Sequence, residues 1–263
     1  MAYDKIKVVG MVISAMPVGE HDTRIVLLTK EKGKVSAFAR GARRAKSHLM
    51  AGCRPFSFGT FELYAGKNSY TVTDISIDKY FEEISVDIEA TYYGFYFLEM
   101  ADYYCRENMD CRQILKLLYQ SLRALINENI SNRLVRIIYE LKTLVINGEY
   151  PQVFECVNCG IEGNATYFSA HKCGVLCSEC RHLYKDAVQV NTSTIYTMQY
   201  VITSKIEKLY TFTVTEEVLA ELEMIMKRYF LLYVDKSFKS LEIIHSLEYN
   251  TMDYSMKMED KNG

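Results

Sequence analysis

Two C-x2-C pairs constrain this chain more than any other feature. They are Cys156-Val157-Asn158-Cys159 and Cys177-Ser178-Glu179-Cys180, with 17 residues between them. Two residues between cysteines let one tight turn aim both sulfurs at a single point. Two such turns supply the corners of a tetrahedron. Gly160 follows the first pair and Gly174 precedes the second, where a positive φ or a close backbone approach is expected. A lone C-x2-C says little; two at this distance predict a metal site made by Cys156, Cys159, Cys177 and Cys180. Cys173, His171 and His182 lie in the same stretch and offer further donors for ligand exchange. Redox dithiols or free buried thiols are the competing readings. A redox pair requires a low-pKa thiol and no bound metal. A zinc enzyme requires a metal-bound water with a base beside it, and the chain holds no H-x-E or H-E-x-x-H motif. A closed structural site is therefore expected, with one Zn2+ per chain.

The chain has 263 residues, enough for two modest domains and a sizeable core. No apolar run approaches the roughly 18 residues that would span a bilayer. The start, Met1-Ala2-Tyr3-Asp4-Lys5, does not read as a signal peptide. A cytoplasmic protein without membrane contact is expected. Cys53, Cys105 and Cys111 are scattered and read as reduced thiols rather than a disulfide frame. The net charge of -2 hides an asymmetry, because residues 1–54 hold eleven Lys and Arg against four Asp and Glu. A basic N-terminal region on an acidic body points to a face for a polyanion.

From Ile6 to about Asp78 the pattern is strand-like. Candidate strands are Ile6–Ser14, Arg24–Thr29, Lys34–Phe38, Phe56–Tyr64 and Tyr70–Ile77. Turn signals separate them at Pro17-Val18-Gly19-Glu20, Glu31-Lys32-Gly33 and Ala65-Gly66-Lys67-Asn68. Five short strands without a long helix suggest a small barrel. The OB fold is the leading candidate, and an SH3-like barrel also has five strands. Between the third and fourth strands runs Arg40-Gly41-Ala42-Arg43-Arg44-Ala45-Lys46-Ser47-His48. Four cations within seven residues cannot be buried without losing their hydration, so a mobile, accessible loop with no share in the core is expected. Such a run is ordinarily a solvated loop. On a nucleic-acid-binding type of barrel, with Arg24, Lys30, Lys32, Lys34 and Arg54 close in sequence, it becomes a candidate phosphate path.

After about residue 80 the period changes. Ile88–Arg106 is apolar on nearly every side, which predicts a buried helix whose aromatics are core rather than a stacking surface. Arg112–Asn127 carries one apolar stripe. Ser131 caps a helix that ends at Gly148. Beyond the cysteines, Thr192–Lys208 reads as helix, and Thr213-Val214-Thr215-Glu216 reads as a capping box opening another. Lys236–Leu247 holds a last apolar stripe, and the polar, Met-rich end from about Tyr249 is expected to fray.

With these residues in place, the chain resembles a known family, the bacterial DNA repair protein RecO. The resemblance covers nearly the whole length. It rests on Gly33-Lys34-Val35 leading into Ala39-Arg40-Gly41-Ala42-Arg43-Arg44, with Ser47 and Pro55-Phe56 after it. It rests also on Glu99, on the two cysteine pairs in their setting, and on Lys239-Ser240-Leu241. Cys173 departs from the family's pattern, which puts a non-ligand there. Members without the cysteines exist, which fits a structural role for the metal. The resemblance implies an N-terminal OB fold and a helical C-terminal domain holding a zinc module. It also implies binding of single- and double-stranded DNA, annealing of complementary strands, and joint action with RecR. Contact with the tail of single-stranded-DNA-binding protein, in support of RecA loading, is implied as well.

The expected fold class is α+β: a five-stranded OB-fold barrel over 1–80, then an all-α domain over 81–250 with a zinc module at 153–183, and a tail over 251–263. The expected function is that of a non-enzymatic DNA-binding recombination mediator in the cytoplasm, at the nucleoid. Arg24, Lys34, Arg40, Arg43, Arg44, Lys46 and Arg54 are the candidate DNA contacts. The alternative is a zinc-stabilised RNA-binding OB-fold protein, since phosphate contacts alone barely separate the two nucleic acids.

Overall fold

The computed structural model describes residues 5–66, 69–163, 165–244 and 246. The expected turn at Lys67-Asn68 and the expected frayed end lie outside the described residues. Five strands open the chain: β1 (Lys5–Val18), β2 (Asp22–Thr29), β3 (Gly33–Ala39), β4 (Phe58–Ala65) and β5 (Tyr70–Lys79). They close into a barrel of order β1-β2-β3-β5-β4. Every ladder is antiparallel except β3 with β5. This five-stranded Greek-key closure is the OB fold. Its strands alternate as a half-buried strand should. In β3, Val35, Ala37 and Ala39 face a core shared with Val12, Ile25, Leu27, Phe61 and Leu63, while Lys34, Ser36 and Phe38 face outward.

Barrel closure requires backbones to approach closely where β1 changes partners. Gly10 of β1 pairs with Gly59 of β4 at that place. A Cβ on Gly59 would stand 2.2 Å from the Ser76 carbonyl oxygen, and one on Gly10 would stand 2.5 Å from that of Leu28. Only glycine fits between strands at that spacing.

The strand bounds differ from the sequence expectation by up to four residues, most at the end of β1. Pro17 and Val18 remain paired with Thr23 and Asp22, so the first turn is confined to Gly19–His21. A proline at a strand end gives up only one ladder donor. Phe56 stands outside β4 with φ of 71°.

The chain forms two compact units, 1–126 with 238–263, and 127–237. In the first, α1 (Ile88–Tyr104) and α2 (Arg112–Leu125) accompany the barrel. Tyr93, Tyr96 and Phe97 are buried core aromatics, as expected of α1. Phe95 is the exception: it is part-exposed and packs its ring against Phe56. The segment from Phe238 returns to α1, where Phe238 meets the Tyr96 and Tyr103 rings. There Ser240 donates its hydroxyl to Glu99 at 2.9 Å. Two short sequence signals 141 positions apart thus form one contact.

The second unit is built on α3 (Asn132–Asn147), capped by the Ser131 hydroxyl and ended by Gly148. Its residues Leu134–Leu144 are all buried, charged ones included. The charges are matched. Arg136 donates to Glu223 at 2.8 Å, and the Lys142 ammonium donates to the carbonyls of Val201, Ile202 and Ser204. Lys142 thereby closes the open C-terminal end of α4 (Thr192–Thr203), where orphan carbonyls and the helix dipole favour a cation. The helix expected over Thr192–Lys208 ends at Thr203, and a short 3-10 turn follows at Ile206–Lys208. α5 (Glu216–Tyr233) is capped by Thr215, which accepts from the Val218 N–H, and not by Thr213 as the capping-box reading had it. With Thr215 as cap, the position that a box needs for Glu is held by Val218. Three short strands, β6 (Ala165–Ser169), β7 (Gly174–Cys177) and β8 (Val188–Gln189), complete this unit in the order β7-β6-β8.

The glycine pair yields the first expected outcome. Gly59→Ala should lower stability by about 3 kcal/mol, the upper range for forcing volume into a packed site. Thermal unfolding checks it, and an unchanged midpoint would contradict the close approach.

Candidate nucleic-acid interface and metal centre

The four paired cysteines meet. Their sulfurs all lie within 4.8 Å of one another. The Cys159 and Cys177 sulfurs are 3.8 Å apart, and four thiolates at about 2.3 Å from one zinc-sized ion would stand about 3.8 Å apart. The first pair sits on a turn closed by Gly160 N–H to Cys156 O at 2.8 Å. The second sits on a turn at the end of β7, closed by Cys180 N–H to Cys177 O at 3.2 Å. Val157 N–H donates to Val175 O and Val175 N–H to Gln152 O, which ties one turn to the other. Gly160 has a φ of 75°, and a Cβ on Gly174 would stand 2.3 Å from the Gln152 carbonyl, so both glycines serve as expected.

The surroundings pull the four thiols in different directions. Burial works against charge on Cys156, but backbone N–H groups of Cys177, Cys159 and Asn158 outweigh it and hold its thiol down to about 6. At Cys180 the Asn158 amide draws the pKa down, yet burial and the sulfurs of Cys177, Cys159 and Cys156 push it up to about 12. A cation between the four relieves this mutual repulsion. The Asn158 amide donates to Cys180 Sγ at 3.3 Å, and the Tyr184 hydroxyl holds Asn158 at 2.7 Å. Such outer contacts orient ligands. Cys173 is not part of the cluster; it stands near Tyr233, whose hydroxyl donates to Ala170 O at 3.0 Å. The four cysteines can hold one metal ion, with all four corners supplied by protein.

The cationic stretch lies on the connection between β3 and β4. Arg40, Arg43, Arg44, Lys46 and Arg54 are all exposed. The loop is ordered, against the expectation of a mobile segment. Consecutive turns wind it: Arg44 N–H to Gly41 O, Ser47 N–H to Arg44 O, Met50 N–H to Ser47 O. Arg43 fastens it to the β1–β2 turn through its N–H to His21 O and its Nη1 to Gly19 O. Gly41 N–H donates to the Asp22 carboxylate at 2.8 Å. The loop also gives Ala42, Leu49 and Cys53 to the barrel core, contrary to the reading that it contributes none. Small and apolar residues between the cations make this work: they turn inward while the charges stay hydrated.

Lys34 departs from the expected set. Its ammonium donates to both Asp102 O (2.7 Å) and Asp102 Oδ1 (2.8 Å), and its side chain is only 24% exposed. A lysine held this way fastens β3 to α1 and is a poor phosphate donor. Arg24 is exposed on β2, with Nε donating to Ser36 Oγ at 2.9 Å.

Two grooves escaped the sequence reading. One, of about 550 Å³, is lined by Arg24, Ser36, Phe38, Ala65, Gly66, Ser69, Tyr70 and Glu107. It lies on the outer face of β2 and β3 beside the β4–β5 turn, the region with which OB folds bind oligonucleotides. The signal was Phe38, an aromatic on the outward side of an otherwise regular alternation. The other groove, of about 460 Å³, is walled by Phe58, Leu115 and Tyr119 and surrounded by Lys30, Glu31, Arg112 and Lys116.

Comparison with known proteins now decides the family. The model for the N-terminal part of recombination protein O matches residues 1–81, and that for its C-terminal part matches residues 85–242. The chain belongs to the recombination protein O family. DNA repair protein RecO of Acetivibrio thermocellus is 34% identical, over 92% of this chain and 97% of its own. That of Alkaliphilus metalliredigens is 30% identical, over 90% and 98%. That of Caldanaerobacter subterraneus subsp. tengcongensis is 27% identical, over 97% and 99%. Both the barrel and the helices lie within these matches. Among the described residues no helix is long and apolar enough to cross a membrane.

The cysteine geometry generates a direct test. Metal analysis should find about one ion per chain. Cys177→Ser should lose it and destabilise residues 127–237, because metal binding and folding are coupled in so small a module. Cys173→Ser should keep the ion. A fully stable, metal-free wild-type protein would overturn this assignment.

Proposed function

We propose that the protein is a non-enzymatic recombination mediator that binds single- and double-stranded DNA on its barrel and anneals complementary strands. The observation that supports this most is the exposed run Arg40, Arg43, Arg44 and Lys46 on the β3–β4 connection of an OB barrel, in a chain of the RecO family. Arg54 and Arg24 widen that path, and Lys34 drops out because Asp102 engages it. Binding through phosphates is largely independent of sequence. Annealing then follows from charge: one positive surface neutralises two strands and lowers their repulsion. The matched families are named for recombination and DNA repair, so the RNA-binding alternative finds no counterpart there.

The ion inferred for the cysteine site is Zn2+. Soft thiolates at tetrahedral spacing suit it, and four protein ligands leave no position for a catalytic water. Its part is structural.

RecR and RecA loading enter this reading as the family's functional setting, in the cytoplasm at the nucleoid. For the tail of single-stranded-DNA-binding protein, an acidic peptide with an apolar end, the groove of Phe58, Leu115 and Tyr119 offers the required chemistry. It combines an apolar floor with cations around it. Titration of a labelled tail peptide into the full chain should saturate at low salt, and Lys116→Glu should weaken it several-fold. An undiminished affinity in that variant would place the peptide elsewhere.

The decisive assay is annealing of complementary oligonucleotides coated with single-stranded-DNA-binding protein. Each phosphate contact contributes roughly -0.7 (single strand) or -0.9 (duplex) to the slope of log K against log salt. Arg43→Ala with Arg44→Ala should therefore flatten the slope by about one to two units on unrelated sequences alike, and annealing should fall with it. Metal content and melting should stay near wild type, since both side chains are exposed and the backbone bond from Arg43 N–H to His21 O survives the loss of the 3.2 Å side-chain bond to Gly19 O. An unchanged slope with unchanged annealing would move the DNA path off this loop.

A further inference from the structure

The groove on β2, β3 and β5 contains a carboxylate, which a phosphate track should exclude. Glu107 comes from outside the barrel, on the segment between α1 and α2. That segment is pinned to the β2–β3 turn: Lys34 N–H donates to Arg106 O at 3.1 Å and Asn108 N–H to Lys32 O at 2.9 Å. Glu107 itself bridges to Gly33. Its carboxylate forms no ion pair among the described residues. Across the groove stands one half-buried ring on the outer face, Phe38, while Tyr70, which pairs with Ala37 and packs against the barrel core, closes the end of the groove. Arg24 pairs with Phe38 in the β2–β3 ladder, and its Nε is held by Ser36. Its terminal Nη atoms have no partner among the described residues.

A phosphate meets repulsion from Glu107. An unpaired base meets complementary chemistry: a ring face to stack on, a carboxylate acceptor, and a guanidinium donor. Carboxylates accept from the cytosine N4 amino group, and guanidinium groups donate to base acceptors. Thymine offers a single N–H between two carbonyl oxygens, and those oxygens repel a carboxylate. We infer that this groove is a base-reading subsite for single-stranded DNA, in which Phe38 stacks an unpaired base and Glu107 with Arg24 favours cytosine over thymine. It rests on the DNA-binding reading and adds a selectivity that the phosphate path lacks.

The test compares oligo(dC) with oligo(dT) of equal length, by fluorescence anisotropy on the full chain at fixed salt and mildly alkaline pH, where oligo(dC) stays unfolded. Wild type should bind oligo(dC) at least about fivefold tighter, the lower end for a paired base contact. Glu107→Ala should erase that preference by weakening oligo(dC). Phe38→Ala should weaken both oligomers by about tenfold, as loss of a stacking platform does, with the salt slope unchanged. Phe38→Leu, which keeps the apolar volume and removes the ring, repeats the measurement should Phe38→Ala melt early. Equal affinity of wild type for the two oligomers overturns the subsite. So does a Glu107→Ala variant that binds both more tightly by one factor, since Glu107 would then be only a repelling charge. Both results leave the phosphate path standing. Salt-independent binding by wild type would instead sink the DNA reading itself.

Discussion

The barrel is closed by two residue pairs. Its other ladders are long and antiparallel, but β3 meets β5 only at Ala37 with Tyr70 and Phe38 with Thr71, in parallel. The groove proposed to bind DNA depends on this short seam. There the outward Phe38 floors the groove, Tyr70 closes its end from the core side, and Arg24 and Glu107 approach from either side. The thinnest ladder of the barrel and the proposed binding groove therefore lie together, as is common where function draws on the less stable end of a structure. The Gly10–Gly59 approach on the opposite side of the barrel compensates, because dense backbone pairing there holds β1 against two neighbours at once.

The second unit solves a different problem. The cysteine-bearing end of the sheet of β6, β7 and β8 has little core of its own, although Phe168 and Val175 are buried elsewhere on the sheet. Its buried cluster is Cys156, Leu176, Cys177 and Cys180, with Val157, Tyr167, Tyr184 and Ala187 against it. Three of those four buried residues are candidate metal ligands. An ion bound at the four cysteines would do there what a hydrophobic core does elsewhere, and an ion that had to stay to hold the fold would be poorly placed to exchange ligands. By contrast α3 is buried on every side and can carry Arg136, Glu140 and Lys142 because partners are supplied. Removing the partner of a buried charge costs far more than the pair contributes, so those residues fix the positions of α4 and α5 relative to α3.

Much of this was legible in the residues. The five strands showed through period-2 alternation, and α3 through Ser131 and Gly148, because both signals are local. The cysteine site was legible because its spacing encodes a geometry that needs no further context. What escaped were features created by contacts distant in sequence. Lys34 looks like any exposed cation until Asp102, 68 positions on, engages it. Glu107 has no local pattern, and only the clamp on the β2–β3 turn brings it to the groove. The capping box at Thr213 failed for a subtler reason. Thr215 is as good a cap, and the choice between two threonines was made by where α5 begins to bury Val218 and Leu219. The loop after β3 was read correctly as exposed charge, but its alternation of Arg with Ala and Leu concealed a second face turned to the core.

The division between phosphate and base contacts bears on how annealing could finish. A surface that bound DNA through cations alone would hold a product duplex at least as firmly as its strands, since a duplex presents more charge per length. Such a surface would anneal once and stay occupied. A groove that takes unpaired bases changes the balance. When two strands pair, the base edge proposed to meet Glu107 and Arg24 is occupied by the complementary base, and stacking within the duplex would draw the ring off Phe38. Pairing would thus remove the interactions that only a single strand can make, while the proposed phosphate contacts at Arg40, Arg43, Arg44 and Lys46 would hold both forms. Affinity then falls by the stacking contribution, about 1–3 kcal/mol per base withdrawn. The groove would bias the protein toward unpaired strands and let the reaction it promotes release its own product.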